Sequence, residues 1–222
     1  MKSLLTIVTI TFATRVFSQA QQNQSPSDFL PKGYVIFEKI NGDLNKDGVA
    51  DCVLIIKGTD TSKIVTDAYR GKLDRNRRGI IVLFSKNGHY ELAVKNYDCF
   101  SSENEDGGVY YAPELSIDIS KGNLLVSYEH GRYGYWVYMF RYRNSDFDLI
   151  GYDLSSDRGP IIEHMVSINF LTHKKEEKVN TNEEAEAGGE EVFKVTRKDI
   201  KTTNLIKLSK IKDFDELDMT DY

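Results

Sequence analysis

Asn87-Gly88 stands between two strand-like runs, residues 79–86 (GIIVLFSK) and residues 89–94 (HYELAV). Two such runs joined by Asn-Gly mark a tight type I′ hairpin, because both central positions need a left-handed backbone that Asn and Gly tolerate. The same punctuation recurs along the chain. Residues 115–119 and 123–128 flank Ser120-Lys121-Gly122, and residues 135–142 and 147–152 flank Arg143-Asn144-Ser145-Asp146. Residues 34–38, 50–57, 165–172, 192–197 and 205–208 add further strand patterns. The run at 50–57 is apolar without alternation, as in a strand buried on both faces. Thirteen Tyr and eleven Phe suit pleated surfaces, and helical periodicity is nearly lacking. The expected fold is all-β, with roughly ten strands in an antiparallel β-sandwich or rolled sheet.

The expected organisation has a signal peptide at 1–20, with Lys2, an apolar run from Leu4 to Ala13 and the small residues Ser18 and Ala20. A flexible segment at 21–33 precedes one β domain at 34–210. Residues 59–78 read as a long polar excursion, residues 174–191 as a charged loop, and residues 211–222 as a mobile acidic tail. Export would deliver the chain to the periplasm or the medium. No window approaches the roughly 20 apolar residues of a spanning helix, so no transmembrane segment is expected. Losing Lys2 and Arg15 with the signal takes the net charge from −5 to −7. That balance disfavours nucleic acid and anionic lipid as partners and leaves a protein or glycan. Cys52 and Cys99 are the two cysteines. In an oxidising compartment they are a disulfide candidate, with two buried thiols the alternative.

One motif carries chemistry. Asp43, Asn45 and Asp47 alternate, Gly48 permits a sharp turn, Val49 offers a carbonyl and Asp51 follows at position nine. Oxygen donors at alternate positions around a glycine suit Ca²⁺, a hard cation that takes six to eight oxygens. Leu54 occupies the position where an EF-hand needs its bidentate Glu, and no helical pattern flanks the loop. The stretch GDLNKDGVADCVLI resembles the calcium loops of FG-GAP and VCBS repeats. That resemblance covers about fifteen residues and implies one structural Ca²⁺ held by Asp43, Asn45, Asp47, Asp51 and the Val49 carbonyl. No second copy exists, so a repeat propeller is not expected. The order of this loop, the hairpin at 79–94, Gly131-Arg132-Tyr133-Gly134-Tyr135-Trp136 and residues 147–152 also looks like uncharacterised secreted proteins of Bacteroidetes.

Arg132, Tyr133, Tyr135 and Trp136 form a polar and aromatic cluster suited to stacking on a sugar or packing on a protein, although strand residues of this kind also fill cores. His89, His130, His164 and His173 lack ligand spacing, and no nucleophile motif is present. The basic cluster Arg70, Lys72, Arg75, Arg77 and Arg78 reads as a solvated loop. The expected function is a Ca²⁺-stabilised binding or interaction module. A hydrolase using carboxylates such as Asp98, Glu103 and Glu129 is the first alternative, and an inhibitor or immunity-type protein the second.

Overall fold

The structure is a computed structural model that describes residues 25–107, 110–182, 185, 190–202, 204–219 and 222. The expected signal peptide and the acidic run at 183–191 fall wholly or mostly outside these residues. In chain order the strands are β1 (Tyr34–Gly42), β2 (Asp51–Gly58), β3 (Ile64–Asp67), β4 (Gly71–Asp74), β5 (Arg78–Lys86) and β6 (His89–Phe100). After the short pair β7 (Asp106–Gly107) and β8 (Tyr110–Tyr111) come β9 (Glu114–Ser120), β10 (Asn123–Glu129) and β11 (Gly134–Arg143). The last four are β12 (Asp146–Arg158), β13 (Ile161–Asn169), β14 (Lys174–Asn180) and β15 (Phe193–Asp199).

The fold is all-β and antiparallel. Eleven strands build two main sheets, one ordered β1-β2-β5-β6 and the other a meander running without crossover from β9 to β15. Asn87 and Gly88 both take positive φ in the β5–β6 turn, as the Asn-Gly hairpin requires. Inward residues of both sheets meet in one core: Val53, Ile55, Ile80 and Val82 from one, Leu124, Val126, Phe140 and Leu149 from the other. The opposite face of β2 and β5, with Cys52, Leu54, Ile56, Ile81 and Leu83, is capped by Phe29, Leu30 and Tyr34. Strand β2 is therefore buried on both faces, as its unbroken apolar run predicts.

Several segments differ from expectation. The excursion at 59–78 contains the β3–β4 hairpin. Its arginines face a facing acidic loop: Arg75 pairs with Glu105 at 2.7 Å and Asp106 at 2.9 Å, and Arg70 reaches Asp106 at 3.2 Å. Residues 174–180 are strand β14, because Lys174 and Glu176 pair across to Asp199 and Arg197 of β15, Lys178 reaches Glu176 along the same strand, and together they make a polar strand tenable. The segment at 25–30 is ordered by a 3-10 turn, Pro26–Phe29, and Phe29 packs inward. The segment at 211–219 is part of the core, since Ile211, Phe214 and Met219 are buried.

Cys52 and Cys99 are both buried and free. Cys52 pairs in register with Leu83, whereas Cys99 lies beside Phe100, the partner of Arg78. Five residues of β5 separate those levels, on the order of 15 Å at a strand's rise, and β5 itself lies between the two cysteine strands. They also face different clusters. A disulfide needs Cα atoms within about 7 Å, so this geometry forbids one.

Between Arg78 and Ile80, strand β6 bulges: Arg78 pairs with Phe100 and Ile80 with Asn96. Gly79 lies under that bulge, and a Cβ there would stand 2.0 Å from the Tyr97 carbonyl oxygen. Gly79→Ala is expected to cost about 1–3 kcal/mol by forcing the backbone apart. Urea unfolding checks it, and a loss under about 0.5 kcal/mol would show that the bulge yields freely.

Candidate functional site

Two places concentrate polar chemistry: the loop at 43–51 and a cleft between the long sheet and the C-terminal segment.

The loop is organised by its own backbone amides. Asp43 accepts from Lys46 N at 2.6 Å and Gly48 N at 3.0 Å, Asn45 Oδ1 from Asp47 N at 2.9 Å, and Asp47 Oδ1 from Val49 N at 2.8 Å. Lys46 and Gly48 take positive φ, which lets the chain curl around these oxygens. The Asn45 amide also donates to Asp47 Oδ2 at 3.0 Å. Asp51 has a different place. It is fully buried, its Oδ2 accepts from Leu44 N at 2.8 Å and Asn45 N at 3.3 Å, and its Oδ1 accepts from Ser85 N at 3.0 Å. Asp51 thereby ties the loop to β5. Burial pushes its pKa up, and the three amides hold it back. Among the described residues no group of three or more His, Cys, Asp or Glu side chains gathers as a metal site. An ion in this loop would accordingly draw on Asp43, Asp47, the Asn45 amide oxygen and the Val49 carbonyl.

The second place begins with β11. Alternation along it sends Trp136, Tyr138 and Phe140 to the inner face and Tyr135, Val137 and Met139 to the outer one. Tyr138 pairs in register with Tyr152 of β12, and the rings stand 5.1 Å apart. Next along the sheet, His164 Nε2 of β13 lies 2.7 Å from Glu177 Oε1 of β14. That bond holds the Glu177 carboxyl below its ordinary pKa.

Opposite this face runs the C-terminal segment. Leu149 N donates to the Ile206 carbonyl at 2.8 Å, Asn96 Nδ2 donates to the carbonyls of Leu208 and Ile211 at 2.8 and 2.7 Å, and Phe214 N donates to the Cys99 carbonyl at 3.0 Å. Arg77 pairs with Asp213 at 2.8 Å. The Phe214 ring inserts between the sheets, 4.9 Å from Phe100 and 5.2 Å from Tyr138. Beyond it, Asp215, Leu217, Asp218 and Met219 form the wall of a cleft of about 410 Å³ whose floor is Trp136, Tyr138, Tyr152, Leu154, His164 and Glu177. This volume lies within the range of small-ligand sites.

Of the four residues expected as a binding surface, only Trp136 reaches this cleft. Its indole stacks on Tyr128, with centroids 5.5 Å apart and planes 15° apart. Tyr135 is exposed on the outer face, Tyr133 leans on the His130 ring at 5.2 Å, and Arg132 sits in the middle of the 3-10 turn that precedes β11. The carboxylates named for hydrolysis are also dispersed: Asp98 accepts from the Tyr34 hydroxyl at 2.7 Å, Glu103 pairs with Lys57, and Glu129 ends β10. The cleft escaped sequence reasoning because its residues come from four strands, β11 to β14, and the C-terminal segment, spread from Trp136 to Met219. One readable signal did exist, the three-residue spacing of Leu208, Ile211, Phe214 and Leu217 inside an acidic segment.

Comparison with family models, curated proteins and solved structures finds no match for the chain.

Proposed function

We propose that the chain is an exported binding module whose β scaffold is pinned by one Ca²⁺ in the loop at 43–51 and whose ligand seats in the aromatic cleft. The observation that carries the binding reading is the cleft itself, an indole, two phenols and a buried phenyl arranged around polar groups on a rigid sheet. Rigid aromatic walls with a few placed polar groups are the usual make-up of a small-ligand site. Support for the ion comes from the curled loop, where the Asp43 and Asp47 carboxylates and the Asn45 amide oxygen share one turn and accept from backbone amides. A bound cation would neutralise them and stiffen the entry to β2. Periplasmic or extracellular residence rests on the leader-like residues 1–20.

Titration calorimetry with CaCl₂ on the chain lacking residues 1–20 tests the ion. Saturable heat is expected, with stability rising by about 2.7 kcal/mol at a hundredfold excess over Kd. Asp47→Ala should lose most of that rise while leaving stability in chelator nearly unchanged. Absence of heat at millimolar Ca²⁺, with the same Tm in chelator, would remove the ion from the reading.

A hydrolytic reading keeps one specific observation in its favour, the His164–Glu177 pair inside the cleft facing Asp215 and Asp218. It would use residues other than Asp98, Glu103 and Glu129.

A further inference from the structure

A groove of about 640 Å³, sharing no residue with the aromatic cleft, opens between the β11–β12 turn and the segment at 204–210. Pairing of β12 with β13 begins only at Gly151, and the segment takes the edge of β12 before that point. Leu149 N donates to the Ile206 carbonyl at 2.8 Å, and Lys207 bridges Asp148 in antiparallel register. Phe147 and Leu149 belong to the core, so alternation turns Asp148 to the opposite face, the one from which its register partner Lys207 rises.

Asp148 lines the groove and is only 5% exposed. Among the described residues its carboxylate has no hydrogen-bond or ion-pair partner. Asp146, two residues earlier, shows the contrast: it accepts from the Phe147 amide at 2.8 Å and from the Ser209 hydroxyl. A buried carboxylate left without donors is costly, and an ionised one can only accept. The walls have the opposite need. Arg143 stands on the β11–β12 turn and Lys207 and Lys210 on the facing segment, and none of them forms an ion pair with a described acid. The nearby Arg141, opposite Asp148 in register, donates through Nε to Asn123 Oδ1 at 2.9 Å. Asn144 and Asn204 add amides that can donate and accept, and Leu205 and Ile206 add apolar surface.

A complementary molecule therefore carries donors for Asp148 and acid groups for the walls. A bare inorganic anion has nothing for Asp148. A single amino acid has one carboxylate, whereas the cations are divided between both walls. From the juxtaposition of an unpartnered buried carboxylate with three unpaired cations and two amides, we propose that this groove binds an acidic saccharide. Sugar hydroxyls donate to Asp148 and exchange hydrogen bonds with Asn144 and Asn204, and acid groups along the sugar chain pair with Arg143, Lys207 and Lys210. The acid is a uronate carboxylate or a sulfate ester, oxyanions that charged N–H donors bind in the same way. The groove's volume is within the range of small-ligand sites.

Titration calorimetry of the full chain at fixed ionic strength tests this with trigalacturonate, a sulfated galactan tetrasaccharide, uncharged galactotriose, a triglutamate peptide, free glutamate and inorganic sulfate. One of the two acidic sugars is expected to bind saturably and at least tenfold more tightly than each of the other four probes, and the tighter of the two identifies the acid as carboxylate or sulfate. Lys207→Ala/Lys210→Ala should weaken that binding at least tenfold, and Asp148→Asn at least fivefold. The Tm of Asp148→Asn should hold or rise, because the change removes a buried charge that has no partner. A fall of several degrees would show that the carboxylate serves the fold, and would overturn its role in the groove. Triglutamate or sulfate binding as tightly as the acidic sugars would reduce the groove to a general anion patch, and galactotriose binding as tightly would show that the cations play no part; either result overturns the proposal. Free glutamate binding tightest would overturn it in favour of an amino acid. Acidic-sugar binding that ignores these variants and shifts the emission of Trp136 would place the sugar in the aromatic cleft, and no heat from either acidic sugar would remove the site.

Discussion

Phe214→Ala is expected to lower the unfolding free energy by about 3–5 kcal/mol, the usual cost of deleting a fully packed phenyl. Phe214 is 2% exposed and is ringed by Phe100, Tyr138, Phe140 and Tyr128 at centroid distances of 4.9, 5.2, 6.1 and 6.4 Å. Its removal would open a cavity between the sheets and strip edge-to-face contacts worth about 0.5–1.5 kcal/mol each. The same change would loosen the wall of the cleft, which Phe214 lines. Neighbouring Glu216, exposed on the same segment, serves as control, and Glu216→Ala should cost under about 0.5 kcal/mol. Urea unfolding of the two variants checks both values. A Phe214→Ala loss below about 1 kcal/mol would mean that the C-terminal segment does not complete the core.

Asp51→Ala is expected to cost about 3–4 kcal/mol, and to do so in chelator as well as in Ca²⁺. Its carboxylate satisfies the amides of Leu44, Asn45 and Ser85. Each buried N–H left without an acceptor costs about 1–3 kcal/mol. Asp51→Asn should recover only part of this loss, because one amide oxygen cannot serve both Leu44 on one side and Ser85 on the other. The comparison separates two roles for the residue. A loss that appears only with Ca²⁺ present would make Asp51 chiefly an ion ligand; a loss of the same size in chelator makes it the clamp between the loop and β5. Asp47→Ala should behave in the opposite way, since its partners lie within the exposed loop.

These two residues mark where sequence reasoning stopped. Asp51 was legible as a member of an alternating acidic loop, yet its burial depends on where β5 brings the Ser85 amide, 34 residues later. Phe214 was hidden by composition. Asp and Glu around it signal a solvated tail, and only the space left open between two sheets turns one apolar position in three toward a core. Strand β14 was missed for a related reason: Lys-Lys-Glu-Glu-Lys carries no apolar alternation, and cross-strand ion pairs with β15 stabilise it instead.

The sequence by itself determined the all-β class, three of the hairpin turns and the strand buried on both faces. Those follow from local rules, the period of apolar residues and the backbone freedom of Asn and Gly, which act over a few residues. Tertiary structure alone decided that Cys52 and Cys99 stand apart, and that His164, Glu177 and Asp215 share a cleft with Trp136. Strand register and the docking of a distant segment set those distances, and both arise from packing between parts of the chain that carry no local mark of each other.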